Sequence, residues 1–271
     1  MTDFRDKVCV VTGAGAGIGR ALGLALAARG ARLAISDIDP GTVAQTAGAA
    51  AARGAEVEHY ALDVSDRDAV SDHAAAVAER FGAVDLLINN AGVAAEGAVG
   101  EMGIDDFEWV MAVNFWGVVY GCRAFLPQLI ESGDGHIVNI SSILGIIAVP
   151  DLAAYSASKF AVRGFSEALA GELMAAGAPV RLSCVHPGGI KTDIARSARS
   201  PGRTPDELAA EFELVAHMQP ERAAEIILRG VARGRRRIFV GADAQALALT
   251  ERLLGARYQR LLAWVTARAS S

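Results

Sequence analysis

Cysteine is nearly absent from this chain, with only Cys9, Cys122 and Cys184 in 271 residues. The number is odd, no Cys-x-x-Cys occurs, and each cysteine sits in an apolar run. That excludes a disulfide framework and predicts buried free thiols in a reducing compartment, so the expected location is cytoplasmic. Aromatic residues are scarce as well, 6% against 52% apolar, so the core must be built from Ala, Val, Leu and Ile. Positive charge is not in excess. A net charge of −5 gives no footprint for nucleic acid as the main partner. The five histidines are scattered without ligand spacing, so no metal centre is expected. The longest uncharged run, Gly135 to Pro150, is short of a membrane span and carries Asn139, Ser141 and Ser142. Met1 to Lys7 is charged at once, without the apolar stretch of a signal peptide. Internal repeats, low-complexity linkers and breaks in composition are also missing, which predicts one domain over 1–271.

What is present is a strand–helix period. Val8-Cys9-Val10-Val11 reads as a strand buried on both faces. Thr12-Gly13-Ala14-Gly15-Ala16-Gly17-Ile18-Gly19 follows, then a helix through Arg29 that Gly30 ends. A strand, a glycine turn and a helix start make a pyrophosphate site, because the glycines admit the phosphate and the helix N-terminus supplies N–H groups. The spacing is G-x-x-x-G-x-G rather than G-x-G-x-x-G. A second strand, Arg32 to Ser36, ends at Asp37, where a carboxylate would hold the adenosine ribose hydroxyls and repel a 2′-phosphate. Neither Ala16 nor Ile38 offers a cation to welcome one.

Further strands are expected at Glu56 to Leu62, Val84 to Ile88, Ile137 to Ile140, Val180 to Val185 and Ile238 to Val240. Helices are expected at Thr42 to Arg53, Asp66 to Phe81 with Ser65 as N-cap, Asp106 to Ile130 as one long helix, Ala153 to Ala176, Pro220 to Val231, and Ala244 to Arg268. The period predicts an α/β fold, a doubly wound parallel sheet with helices on both faces. Gly13, Asp37, Asp63, Asn89, Ser142 and Pro187 then all fall at strand C-termini, where such sheets bind ligands. Residues 189–219 break the rhythm and read as a lid, and 243–271 as a C-terminal helical extension. In that extension Tyr258, Leu261, Leu262 and Val265 form an apolar seam beside Arg257, Arg260 and Arg268. The seam predicts packing on the domain or a sister subunit, with membrane-surface contact as the disfavoured alternative.

Tyr155 and Lys159 lie four residues apart, on one face of a helix. A fixed ammonium there is expected to lower the tyrosine pKa and make it an acid/base near operating pH. Ser142, thirteen residues upstream, could hold a substrate oxygen.

The chain resembles the short-chain dehydrogenase/reductase family over about Lys7 to Val240. The likeness rests on Thr12-Gly13-x-x-x-Gly17-x-Gly19, Asn89-Asn90-Ala91-Gly92, Asn114, Ser142, Tyr155-x-x-x-Lys159 and Pro187-Gly188 with Thr192. The resemblance implies a seven-stranded Rossmann sheet and a catalytic tetrad of Asn114, Ser142, Tyr155 and Lys159. In the implied mechanism Ser142 hydrogen-bonds the substrate oxygen, Tyr155 takes the hydroxyl proton, Lys159 tunes Tyr155 and holds ribose, and Asn114 holds a water behind Lys159. It implies cofactor contacts at Gly13, Ala16, Gly17, Ile18, Gly19, Asp37, Asp63, Val64, Asn90, Ala91, Gly92, Tyr155, Lys159, Pro187, Gly188, Ile190 and Thr192, with Asp37 favouring NAD over NADP. Ile190-Lys191 departs from the pairs usual in the family. The resemblance also implies a homodimer or homotetramer.

A substrate wall is expected from Ile143, Leu144, Ile146, Val149 and Leu152, from Val93 and Ala94, and from the lid residues Phe212, Val215 and Met218, with Ser142, Leu144, Val149, Tyr155 and Phe212 as direct contacts. That wall is apolar and predicts an apolar secondary alcohol or ketone. The lid arginines Arg196, Arg199 and Arg203 are the groups that could instead admit a carboxylate. Two other functions fit less well: an NADP-dependent carbonyl or 3-oxoacyl reductase, against which Asp37 weighs, and a non-catalytic dinucleotide-binding regulator, which would not need Tyr155.

Overall fold

The central strands of the sheet are mostly apolar because both faces of the sheet are covered. The structure, a computed structural model, describes residues 3–260. Seven strands, β1 (Val8–Thr12), β2 (Arg32–Asp37), β3 (Val57–Ala61), β4 (Leu86–Asn89), β5 (Gly135–Ile140), β6 (Val180–Pro187) and β7 (Arg237–Val240), form one sheet. The order is β3-β2-β1-β4-β5-β6-β7, and every pairing is parallel. The order reverses between β1 and β4, so the two crossovers leave a crevice at their C-terminal ends.

Alternation along the strands sorts side chains between two cores. Cys9, Val11, Leu33 and Ile35 pack with α1 (Gly17–Ala27), α2 (Pro40–Ala51) and α8 (Pro220–Ala232) through Leu22, Leu26, Val43, Ile227 and Leu228. Val8, Val10, Ala34, Leu87 and Ile137 pack on the other face with α3 (Arg67–Phe81), α5 (Gly117–Glu131) and α6 (Ala153–Ala175) through Val77, Phe125, Leu129 and Val162. Truncating a fully buried leucine such as Leu22 to alanine costs about 2–5 kcal/mol in sites of this kind.

Several boundaries differ from those expected. Helix α2 begins at Pro40 rather than Thr42, because Pro40 sits at N1 and Asp39 accepts from Gly41 N at 2.8 Å. The cap of α3 is Asp66, not Ser65, whose N–H and hydroxyl are both bound to Asp63. The long helix expected at Asp106 to Ile130 is continuous from Ile104 to Glu131. It comprises α4 (Ile104–Met111), a π turn at Ala112–Trp116 and α5. By length and composition this run could cross a bilayer, yet Val118, Cys122, Phe125 and Leu129 on it are buried against the sheet. Strand β6 continues past Val185 to Pro187 because it pairs with β7 to its end. The expected lid is partly helical. It contains α7 (Pro205–Glu213), started by a reciprocal cap between Thr204 and Glu207.

The extension forms α9 (Ala242–Leu254) and a short turn, and Tyr258 is buried against the domain. Leu261, Leu262, Val265 and Arg268 lie outside the described residues.

Candidate active site

The glycine turn after β1 is built by close approach. Gly13 has φ +64°, and a Cβ on it would lie 2.7 Å from Ala91 Cα. A Cβ on Gly19 would lie 2.0 Å from Gly13 O and 2.4 Å from Asn90 Nδ2. No side chain could occupy either place. Asn90 stitches the two loops together: its Nδ2 donates to Thr12 O at 2.9 Å and Gly13 O at 3.0 Å, while Thr12 Oγ1 accepts from Asn90 N and Ala91 N. The first turn of α1 has no side-chain cap and no acidic residue. Its N–H groups and positive end are therefore available to an anion, the chemistry a dinucleotide pyrophosphate needs. Ala16 is exposed beside it, Ile18 is half-buried, and Thr192 covers Gly17 from the far side.

Asp37 ends β2 with its carboxylate turned back over the glycine turn. Oδ2 accepts from Gly15 N at 2.8 Å and Oδ1 from Asp39 N at 3.1 Å. Next to it Ile38 is exposed. Asp63 is exposed and bound to Ser65, and Val64 is buried in a small cluster where Ala91 also packs. These groups fit the nucleoside end of a dinucleotide.

On the other side of the crevice stand the four residues of the expected tetrad. Asn114 lies inside the π turn, where the extra residue turns its amide toward the loop after β4. Oδ1 accepts from Val93 N at 2.8 Å, and Nδ2 donates to Val93 O at 2.9 Å and Ser158 Oγ at 3.0 Å. Ser158 Oγ in turn donates to Tyr155 O at 2.7 Å. Among the described residues no direct bond joins Asn114 to Lys159. The two meet around Gly92, where a Cβ would lie 3.1 Å from Asn114 Oδ1 and 3.3 Å from Lys159 Nζ.

Ser142 follows the end of β5 and caps a 3-10 turn, its hydroxyl accepting from Leu144 N at 3.0 Å. Ser142 stands close enough to the Tyr155 phenol to lower its pKa. Lys159 is buried, donates to Ile140 O at 3.2 Å, and stands 5.5 Å from the Tyr155 ring centroid. The electrostatics correct one expectation. Burial pushes the Tyr155 phenol up to about 12, opposed only by Ser142, and burial brings the Lys159 ammonium down to about 8. Desolvation outweighs the attraction that a charged lysine would exert on a phenolate. In this geometry Tyr155 is a proton donor at neutral pH.

The turn after β6 completes the crevice. Gly188 N donates to Val240 O, and Asp243 Oδ2 accepts from Gly189 N at 2.8 Å. Ile190 is buried in the main core and its backbone bridges to Met218. Lys191 N is bound to Met218 O, which closes the base of the lid.

The expected substrate wall is only partly assembled. Leu144 and Val149 pack behind Ser142, and Val93 packs beside Val110 and Ala154. Phe212 lines a cleft of about 470 Å³ beside the glycine turn, with Gly17, Arg20, Leu24, Lys191 and Thr192. Val215 is 58% exposed, Met218 packs on the core, and Ile143 and Ile146 are buried. The reason is α7, which turns this part of the lid toward α1. All three lid arginines are paired: Arg196 with Asp206, Arg199 with Asp106 at 3.0 Å and over the Trp109 ring at 3.8 Å, and Arg203 with Glu96 and Glu211.

Sequence reasoning missed the supporting bonds made by Ser158, His186, Asp243 and the Tyr258 hydroxyl, although Tyr258 itself was expected in a seam packed on the domain.

A nucleotide cradle at the switch point of a seven-stranded parallel sheet, facing a Ser–Tyr–Lys group, defines an oxidoreductase of the Rossmann type. The sequence profile of the family described as short chain dehydrogenase matches residues 7–202. The chain belongs to the short-chain dehydrogenase/reductase family. It is 51% identical to "Putative oxidoreductase SadH" of Mycobacterium tuberculosis (strain ATCC 25618 / H37Rv) over 97% of this chain and 96% of that protein. Its structure is similar to that of a short-chain dehydrogenase/reductase from Burkholderia phymatum in complex with NAD, with a TM-score of 0.88, 33% identity, and 96% and 97% of the two chains covered. It is also similar to an alcohol dehydrogenase from the archaeon Thermococcus sibiricus complexed with 5-hydroxy-NADP, with a TM-score of 0.75, 28% identity, and 86% and 95% covered.

Proposed function

We propose that the protein interconverts an apolar secondary alcohol and its ketone with NAD(H). The observation that carries this reading is Ser142 and Tyr155, with buried Lys159 5.5 Å from the Tyr155 ring, standing across the crevice from an uncapped glycine turn. NAD, when bound, supplies the hydride chemistry; the protein's part is orientation and proton transfer. Ser142 Oγ and Tyr155 Oη offer two groups to one substrate oxygen. Tyr155 gives its proton to that oxygen in reduction and takes it back in oxidation. Lys159, fixed by Ile140 O and by burial, stands where it can hold a ribose hydroxyl.

The family's solved structures include complexes with NAD and with an NADP derivative, so the cofactor preference rests on this chain's own residues. Asp37 is anchored by two backbone N–H groups, and no cation stands at Ala16 or Ile38. A carboxylate about 4 Å from a single negative charge is worth about 1 kcal/mol in water and about 4 kcal/mol near a protein surface, enough to disfavour a 2′-phosphate. The substrate class rests on Leu144, Val149 and Val93, and on the pairing of every lid arginine within the protein. A homodimer or homotetramer is part of the same proposal, with Trp116 and Phe160 exposed on the helical face opposite the sheet. So is a cytoplasmic location, supported by three buried free thiols.

NADH fluorescence over a panel of secondary alcohols, with NAD and NADP run in parallel, tests the reading. Turnover of alkyl alcohols with NAD is the expected result. A clear kcat/KM advantage for an ω-carboxylate over its matched alkyl alcohol, or for NADP over NAD, would overturn it.

A further inference from the structure

The segment that leaves Ser142 is held from behind by the last part of the described chain. Ile143, Ile146 and Ile147 are buried in one cluster with Ala244 and Tyr258, and Leu144, Val149, Phe239 and Leu247 pack against it. One polar bond crosses this apolar contact. The Tyr258 hydroxyl accepts from the Ala148 N–H at 2.8 Å, and Tyr258 is only 8% exposed. A second strut holds the other end of the segment. The Ser142 carbonyl bonds His186 Nδ1 at 3.0 Å, and the His186 ring stacks on Phe239 with centroids 5.4 Å apart. A carbonyl only accepts, so Nδ1 carries the proton. Ser142 and Ala148 are thus both tied to the C-terminal part of the fold, one through His186 and Phe239, the other through Tyr258.

The Ala148 bond matters because of what lies between its two ends. Leu144 and Val149 are the half-buried apolar groups nearest Ser142 on this side of the crevice. Removing the hydroxyl would leave the Ala148 N–H without its acceptor beside an apolar cluster, and the segment would have to move outward to reach water. The apolar ring of Tyr258 would still fill its place.

We propose that Tyr258 is a positioning residue for substrate. By holding Ala148 it fixes how far the 143–149 segment stands from Ser142 and Tyr155, and so sets the size of alcohol the site accepts. This rests on reading that segment as the substrate wall. The test is Tyr258→Phe in the full chain, with two independent measurements. In kinetics with NAD, KM for 2-decanol should change at least fivefold, while KM for 2-butanol, kcat and NAD affinity stay within twofold. In amide hydrogen exchange, the 143–150 segment should exchange at least tenfold faster than in the wild type, with the glycine turn unchanged. Wild-type exchange in that segment overturns the proposal whatever the kinetics. Equal KM changes for both alcohols, or a parallel loss of kcat and NAD affinity, overturn it as well, since either would mark general damage. A wild-type protein that oxidises neither alcohol overturns the substrate reading and the sizing role with it, while the exchange measurement separately reports whether the anchor exists.

Discussion

The two walls of the crevice are made by different means. The nucleotide wall is backbone against backbone: Gly13 against Ala91, Gly19 against Gly13 O, and Asn90 bonded to the carbonyls of Thr12 and Gly13. The wall proposed for substrate is side chains against side chains. Its parts are the apolar cluster behind Ser142, the ion pairs of Arg199 and Arg203, and the Arg199–Trp109 stack. The first arrangement leaves almost no freedom for substitution. The second can be altered piecemeal, and it is where specificity can change without loss of the cofactor.

The seam between the walls gives the largest expected effect. Tyr155→Phe keeps the ring and removes the transferable proton, so turnover should fall at least ~10²-fold with NADH binding nearly unchanged. Fluorescence titration beside steady-state kinetics would check both halves of that statement. The same seam has a pH signature. The first proton lost by the Tyr155–Lys159 pair leaves Lys159 near pH 8, because Tyr155 holds its own to about 12, and the neutral amine is then the base of the pair. Alcohol oxidation should therefore rise from pH 6 through about 8, and a flat profile with chemistry rate-limiting would count against the pair. Stability carries the complementary sign. The folded-state pKa of Lys159, about 8, is below its ordinary 10.5, so the unfolded chain binds more protons between those values. The contribution of Lys159 is full above pH 10.5 and is lost as pH falls through 8. Urea melts across that window should show Lys159→Met with a flatter rise than the wild type.

Next in size is a test of the backbone wall itself. Gly19→Ala places a Cβ inside contact distance of Gly13 O, and overpacking of this kind costs about 1–3 kcal/mol. Cofactor affinity should fall about 10- to 100-fold, read by NADH titration. Near-normal affinity would show the turn to be more pliable than its contacts suggest. Asp37→Ala keeps the backbone and removes one charge. The NAD-to-NADP ratio of kcat/KM should fall at least about fivefold, the effect of about 1 kcal/mol.

The smallest effect belongs to the side-chain wall. Arg199→Ala breaks one exposed ion pair and one stack, each worth about 1 kcal/mol or less. Alcohol KM should rise about threefold with cofactor affinity unchanged. A matching loss of cofactor affinity would erase the distinction between the walls.

The same distinction explains what could be read from the sequence. The strand–helix period and the glycine turn were legible because all-apolar strands and steric need for glycine leave few alternatives. The π turn at Asn114 was not, since the flanking residues keep ordinary helical character and only the buried amide marks the place. Ser65 looked like a cap because Asp66 beside it has the same chemistry, and three-dimensional pairing with Asp63 decided between them. The surroundings of Phe212 were not legible because apolar residues in an insertion carry no direction: α7 sets Phe212 beside α1, in a cleft with Gly17 and Thr192. Tyr258 was read as part of an apolar seam. Its hydroxyl found a partner 110 positions away, at Ala148, which no local pattern signals.

The contact of Asp243 with Gly189 has a consequence for how the molecule comes into being. Synthesis proceeds from the N-terminus, and the strands from β1 to β5, with the glycine turn, emerge first. The loop after Pro187 gains its carboxylate partner only when Asp243 has been made, and Ala148 waits longer still, for Tyr258. The residues of the glycine turn are therefore made well before those that brace the segment after Ser142, and Asp243 and Tyr258 are among the last that synthesis supplies to the described fold.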